Sequence, residues 1–319
     1  MRVVVLCGGR SSEHEVSLTS GRAVADGLRE GGHDVEVVEI ARDGAWSHEG
    51  AELSVVPGRG LLGADAVFPA LHGPFGEDGT VQGVLESLGV AYVGSGVAAS
   101  AVCMDKLLFK ELMTHEGLPQ VGFARALPGV EPALGWPCWV KPARLGSSVG
   151  IHRVERPEDY EAAVRQALEH DPRVIVEAHS PGLEVECSVL GPTDAPKASQ
   201  PGEIVIRSET GWYDYEAKYT EGGMDLVVPA RISEAARDRV RFLATEAFSL
   251  AGCSGLARVD FFVDGDDVVL NELNTMPGQT PTSVYGKLWA AGGMEYPELL
   301  EKLCEIALDR HAAGRAHRY

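Results

Sequence analysis

Arg258, Asp260, Glu272 and Asn274 are two carboxylates, an amide and a guanidinium within one short stretch, GLARVDFFVDGDDVVLNELNTMPG from Gly255 to Gly278. Carboxylate and amide oxygens are hard ligands of the kind Mg²⁺ accepts beside phosphate groups. The elements that must position them are readable. Leu256–Val263 and Val268–Thr275 are rich in β-branched and aromatic residues and flank an Asp-Gly-Asp-Asp cluster, which predicts an antiparallel hairpin. Side chains alternate along a strand, so Glu272 and Asn274 share a face, about 7 Å apart. Arg258 and Asp260 likewise share one, opposite Val259, Phe261 and Val263. Register decides whether the carboxylates meet. A two-residue loop pairs Asp264 with Asp267 and turns Asp260 away from Glu272, whereas a three-residue loop or one bulge sets them opposite. Metal binding therefore demands an odd loop or a bulge. Taken alone, these residues are read more simply as a solvent-facing sheet surface.

Composition narrows the class. At 319 residues the chain should divide into two or three subdomains, and its 45% hydrophobic and 24% charged content is that of a soluble globular protein. No stretch approaches a membrane span, and the apolar run Val3–Leu6 is too short for a secretion signal, so a cytoplasmic protein is expected. Six scattered cysteines without a Cys-x-x-Cys pair read as reduced, mostly buried thiols. A net charge of −19 argues against a nucleic-acid partner. Lysine is scarce, seven residues in all, and three of them (Lys106, Lys141, Lys218) fall inside motifs.

From the N-terminus, Arg2–Leu6 reads as a buried strand. Gly8-Gly9 and a helix with Val16, Ala23, Val24 and Leu28 on one stripe follow, stopped by Gly31-Gly32. This opens a doubly wound α/β unit, without the GxGxxG fingerprint of nicotinamide binding. Ser12 and Glu15 have capping-box spacing. Glu13 is left without a structural task and, by itself, reads as a solvated loop carboxylate. Val35–Ile40 and Ala64–Leu71 are further strands, the latter followed by His72-Gly73-Pro74-Phe75-Gly76-Glu77-Asp78-Gly79, a glycine-rich loop where parallel sheets bind ligands. A boundary is expected near Val93–Ala98, then one helix over Ala98–Glu116 carrying Lys106.

Trp139–Lys141 reads as a strand leading into Gly146-Ser147-Ser148-Val149-Gly150, a loop able to lay N–H groups and hydroxyls over phosphate oxygens. It is not a P-loop, and a hairpin turn explains it equally well. Glu177 and Glu184 bracket a linker between two strands, along which a nucleotide's adenine and ribose could lie. Residues Glu209–Asp225, with three tyrosines, Trp212 and Lys218, form the longest stretch without periodicity and read as a lid. Ser233 should cap a helix that buries Val240, Leu243, Ala247 and Phe248. Met276–Gly286 reads as a rigid polar loop and Pro297–Leu308 as the last helix.

Together, Ser12-Glu13-His14-Glu15-Val16-Ser17, Leu71-His72-Gly73, Gly76-Glu77-Asp78-Gly79-Thr80, Met104-Asp105-Lys106, Val140-Lys141-Pro142, Gly146-Ser147-Ser148-Val149-Gly150, Tyr213-Asp214-Tyr215-Glu216-Ala217-Lys218-Tyr219, Arg258-Val259-Asp260 and Asn271-Glu272-Leu273-Asn274-Thr275 resemble, in order and over nearly the whole chain, the D-alanine–D-alanine ligases of the ATP-grasp superfamily. The sequence departs from that pattern after Glu177, where Ala178 and His179 stand in place of a common Lys.

The resemblance implies an α/β ATP-grasp fold with an N-terminal doubly wound (Rossmann-like) domain over 1–97, a central subdomain over 98–178 and a C-terminal subdomain over 179–319. It implies ATP, with Lys106, Lys141 and Lys218 on the phosphates under Ser147 and Ser148, and Glu177 and Glu184 on adenine and ribose. It implies two Mg²⁺ ions, replaceable by Mn²⁺, on Asp260, Glu272 and Asn274. The substrates would be two D-alanine molecules joined through an acyl phosphate for cell-wall peptidoglycan. Glu13 would hold the first ammonium group, with His72 nearby; Arg258 and the backbone at Gly278 would stabilise the oxyanion; Ser283 and Val284 would receive the second carboxylate. Tyr219 would link to Ser147 and Glu13. A homodimer is implied as well. The rival readings are the same scaffold making D-alanyl-D-lactate, against which Tyr219 speaks, or D-alanyl-D-serine, and a non-catalytic ATP-binding homologue, from which a metal ligand or phosphate lysine should be missing.

Overall fold

Alternation of apolar side chains builds three sheets in the computed structural model, which describes residues 1–146, 149–207 and 223–317. The first contains β1 (Arg2–Gly8), β2 (Asp34–Ile40), β3 (Trp46–His48), β4 (Ala51–Glu52), β5 (Ala66–Pro69) and β6 (Ala91–Tyr92), in the order β4-β3-β2-β1-β5-β6. β1 pairs in parallel with β2 and β5 and is buried on both faces, as a central parallel strand must be. Val3 and Val5 pack with Val24 and Leu28 of α1 (His14–Glu30), while Val4 and Leu6 pack with Val81 and Leu85 of α2 (Thr80–Leu88). Helices on both faces make this unit doubly wound. β3 and β4 lie in a stretch too short and too polar to announce a strand.

The helix expected over Ala98–Glu116 is two: α3 (Val97–Met104) and α4 (Lys106–His115). Asp105 between them is extended, and its carboxylate accepts from the N–H groups of Leu107 and Leu108. A fresh N-cap inside the run ends one helix and starts the next, which puts Lys106 at the first helical position.

The second sheet holds β7 (Phe123–Arg125), β8 (Cys138–Pro142), β9 (His152–Val154) and β10 (Val174–Ala178), ordered β7-β10-β8-β9 and antiparallel. Cys138, Val140, Val174 and Val176 face α5 (Pro157–Leu168), whose Tyr160, Ala163, Val164 and Ala167 they bury. By the period of two, Trp139, Lys141 and Glu177 face the other way. The third sheet runs β14-β13-β11-β15-β16, with β12 on the side, from β11 (Leu183–Gly191), β12 (Lys197–Ala198), β13 (Gly202–Ile206), β14 (Met224–Val227), β15 (Gly255–Asp264) and β16 (Asp267–Asn274). Val185, Cys187, Val259, Phe261, Leu270 and Leu273 pack under α6 (Glu234–Leu250), which is capped by Ser233 through Ala236 N–H. Emptying one such aromatic position, Phe261→Ala, would cost about 3–5 kcal/mol. The opposite faces of both antiparallel sheets look into one cleft.

Met276–Gly286 is a loop only in part, since α7 (Val284–Ala290) begins within it. The last helix, α8 (Tyr296–Arg315), is longer than expected. Although it follows the C-terminal sheet in sequence, its Leu299, Leu300 and Leu303 join the core of β1 and α1. All six cysteines are buried and free. Among the described residues no helix is long and apolar enough to cross a membrane.

Candidate active site

The hairpin of β15 and β16 has a two-residue turn, because Asp264 pairs with Asp267. That register holds through Phe261 and Leu270 and then shifts by one residue, so that Asp260 pairs with Glu272 and Arg258 with Asn274. Asn271 is the bulged residue. On the other edge of β15, Glu186 pairs with Asp260 and Ser188 with Arg258. Glu186, Asp260 and Glu272 thus form a row of three carboxylates across adjacent strands, which lie about 4.8 Å apart. Like charges placed directly opposite are unfavourable. Arg258 offsets part of this, with two 2.7 Å bonds to the Asp260 carboxylate and an approach of 3.1 Å to Glu186. Lys106 Nζ stands 3.4 Å from Glu272. A row of carboxylate oxygens with an amide oxygen beside it fits a hard divalent ion.

Asn274 Oδ1 accepts from Met276 N–H at 2.9 Å, leaving its second lone pair for such an ion. The Met276 carbonyl in turn accepts from His72 Nδ1 at 3.1 Å, and His72 Nε2 is 2.8 Å from Ser20 Oγ. The carbonyl partner fixes the proton on Nδ1. Burial lowers the His72 pKa against the pull of Glu13, so the ring is neutral. His72 therefore ties the loop after β5 to the end of β16.

Glu13 is buried, not solvated. The capping box does not form: Glu15 is exposed and pairs with Arg42, and no side chain caps α1. Ser11 acts instead, its hydroxyl donating to the His72 carbonyl at 2.6 Å and accepting from Glu13 N–H at 3.1 Å. Gly73, at φ 73°, packs so closely on this residue that a Cβ would stand 2.5 Å from Glu13 Oε2. Glu77 accepts from Gly73 N–H at 2.6 Å. Burial, then Glu13, push the Glu77 pKa up to about 8, so it is a neutral acid at pH 7.

Facing the carboxylate row across the cleft, Lys141 Nζ is 2.5 Å from Glu177 Oε2 and Lys110 Nζ is 3.3 Å from Oε1. Burial would raise the Glu177 pKa, but the two lysines outweigh it and hold it down to about 2. Burial works against the Lys141 ammonium, yet Glu177 and Glu272 raise its pKa overall. Lys106 also donates to the Leu145 carbonyl at 2.9 Å.

These groups surround two adjoining spaces. A cavity of about 530 Å³ is lined by Lys106, Lys141, Glu177, Glu184, Asp260 and Glu272. A smaller one of about 90 Å³ is lined by Glu13, His72, Glu77, Arg258, Asn274 and Gly278. Lys106, Leu145, Gly146 and Glu272 line both and form the shared wall. Ser283 and Val284 lie outside either lining. Ser283 Oγ would be 2.8 Å from a Cβ at Gly278, and it is held by Thr280, while the Val284 side chain is in the core. Ser147, Ser148, Lys218 and Tyr219, with the expected lid 209–225 up to Gly222, lie outside the described residues; its end, Met224–Asp225, is in β14. Glu36, His48 and Glu49, on and beside the N-terminal sheet, could also hold a cation, but none of them lines either space.

Sequence reading missed Ser11, Glu77, Lys110 and Glu186. Glu186 was open to it, since it shares a strand face with Glu184. The bulge was too: Val268, Leu270 and Leu273 are the buried positions of β16, and a step of two followed by three is the mark of an extra residue.

The comparisons with known proteins agree with this geometry. The family model described as D-ala D-ala ligase C-terminus matches residues 115–305, and the one described as D-ala D-ala ligase N-terminus matches 2–60 and 57–95. A D-alanine--D-alanine ligase from Deinococcus radiodurans is 44% identical over 97% of this chain and 98% of its own. One from Mycolicibacterium smegmatis is 43% identical over 97% and 96%. Among solved structures, the D-alanine-D-alanine ligase from Coxiella burnetii superposes with a TM-score of 0.88 at 34% identity, covering 99% of this chain and 96% of that one. The VanG D-Ala:D-Ser ligase from Enterococcus faecalis gives 0.86 at 34% identity, covering 96% and 99%.

Proposed function

The chain belongs to the D-alanine–D-alanine ligase family of ATP-grasp enzymes, and from that premise we propose that it joins two D-alanine molecules through an acyl phosphate. The observation that carries this reading is the shared wall. Lys106 and Glu272 line both the larger cleft and the small pocket of Glu13 and Arg258, so a phosphate group at that wall stands beside a carboxylate in the pocket.

ATP would lie in the cleft, with Lys106, Lys141 and Lys218 on its phosphates, Ser147 and Ser148 over them, and Glu177 and Glu184 toward adenine and ribose. Asp260, Glu272 and Asn274 would hold two Mg²⁺ ions, which supply charge neutralisation for the phosphates. Glu13 would bind the first D-alanine's ammonium group. That substrate's carboxylate attacks the γ-phosphorus, the bond to the ADP oxygen breaks, and ADP leaves. The second D-alanine, its carboxylate near Ser283 and Val284, loses a proton from its ammonium group and attacks the acyl carbon. The C–N bond forms, the nitrogen gives up a second proton to solvent, and phosphate departs with the C–O electron pair. Arg258, oriented by Asp260 and Glu186, and the backbone at Gly278 offset charge on the carbonyl oxygen. His72 acts through Met276 and Ser20 to orient its loop. Tyr219 would link to Ser147 and Glu13.

A D-serine acceptor is the second reading, supported by the likeness to the VanG ligase. Phosphate release from ATP, measured with D-alanine alone and with D-serine, D-lactate or L-alanine added, tests both. D-Alanine alone should suffice for release of phosphate and formation of the dipeptide. Release that requires D-serine would favour the second reading, and none with any acceptor would sink both.

A further inference from the structure

Lys110 lies one helical turn beyond Lys106 on α4, 1% exposed, and no part of the proposed reaction uses it. Among the described residues its Nζ makes no well-aligned hydrogen bond, and the Phe123 ring centroid lies 5.8 Å away. Among the described residues its ion-pair partner is Glu177, whose Oε1 lies 3.3 Å away and whose other oxygen holds Lys141 at 2.5 Å, while Lys141 and Glu272 act on it from farther off. Two lysines therefore share one carboxylate; burial lowers the Lys110 pKa and Glu177 works against that, and with both lysines protonated the trio carries one net positive charge. Lys141 lines the cleft and Lys110 does not, so the surplus is presented on the cleft side.

We propose that Lys110 is a positioning residue for the nucleotide phosphates, neutralising Glu177 from behind so that Lys141 keeps its charge for the cleft. The inference rests on the reading of the cleft as an ATP site. Without Lys110, Glu177 would pair with Lys141 alone, the two would sum to zero, and the attraction for phosphate would be largely cancelled. Buried this deeply, the charges are little screened by solvent. A merely structural ion pair would have a different signature, because its loss would loosen the cleft for any occupant.

The test is calorimetric titration of the full-length protein with ATP, ADP and adenosine. Lys110→Met should weaken ATP binding roughly tenfold or more, weaken ADP less, and leave adenosine unchanged. Lys110→Arg keeps the charge and should stay close to wild type, and it provides the comparison if the Met variant folds poorly. Equal losses for all three ligands, or an unchanged ATP affinity in Lys110→Met, would overturn the proposal. A wild-type protein that binds no ATP would overturn the nucleotide reading itself, a distinct result.

Discussion

Asp260 lies directly opposite Glu272 across the last two strands of the C-terminal sheet, although the turn joining them has the length that would set them apart. One bulged residue, Asn271, makes the difference. It also turns Asn271 and Glu272, consecutive in sequence, toward the cleft together. Removing the Glu272 charge should therefore damage function more than fold. Glu272→Gln should lower turnover by about 100-fold or more. Its melting temperature without ligand should change little, since relief of the opposed like charge is set against loss of the Lys106 pair. Differential scanning fluorimetry with and without Mg²⁺ and ATP checks this; a variant that keeps the full ligand-induced shift contradicts the metal assignment.

Gly73→Ala should act on the substrate side alone. Its positive φ disfavours any side chain by about 1–2 kcal/mol, and the new methyl would displace the Glu13 carboxylate. The expected outcome is a raised KM for D-alanine with the KM for ATP nearly unchanged. Equal changes in both would mean that the loop supports the whole cleft.

The parts of this arrangement that depend on local periodicity were legible in the sequence. The period of two over 256–275 gave the hairpin, its core face and its polar face, and the stripe ending in Gly31-Gly32 gave the first helix. What was not legible depends on packing between distant segments. Ser12 and Glu15 have cap spacing, but Ser11 meets the His72 carbonyl and the helix starts without a side-chain cap. Asp105 could have been read as a cap; its contact with Arg173, 68 positions on, at 2.6 Å, could not. Nor could the burial of Lys110 be read from a helix whose inward face is set by a strand more than 60 residues later.

Stability should depend on pH through Glu77, which faces Glu13, Arg258, Lys106 and His72 in its pocket. Its folded pKa is raised from 4.5 to about 8. Below the unfolded value both states are protonated and nothing is lost. Between the two values the unfolded chain ionises while the folded one does not, so the unfolded state binds fewer protons and stability falls as pH rises. The loss is on the order of a few kcal/mol and levels off above the folded pKa. Glu77→Gln removes the effect and, by keeping an acceptor for Gly73 N–H, should gain on wild type between pH 5 and pH 8 in urea unfolding. A constant difference across that range would show that Glu77 is ionised in the fold.

Asp105→Ala should cost about 1–2 kcal/mol of stability, as the loss of a helix cap does, with further loss from the Arg173 pair. Because Lys106 is the next residue, the KM for ATP should rise as well. Denaturant melts paired with ATP titration check this. A loss of stability with ATP kinetics untouched would separate the cap from the site.

The most direct measurement follows an oxygen atom. With D-alanine labelled by ¹⁸O in both carboxylate oxygens, attack on the γ-phosphorus and later expulsion of phosphate must carry one labelled oxygen into each inorganic phosphate. The other stays in the new amide carbonyl. Mass spectrometry of phosphate and dipeptide from a single incubation should find one ¹⁸O in each phosphate and three in each dipeptide, one in the amide carbonyl and two in the C-terminal carboxylate. Unlabelled phosphate formed alongside dipeptide would contradict the acyl-phosphate account.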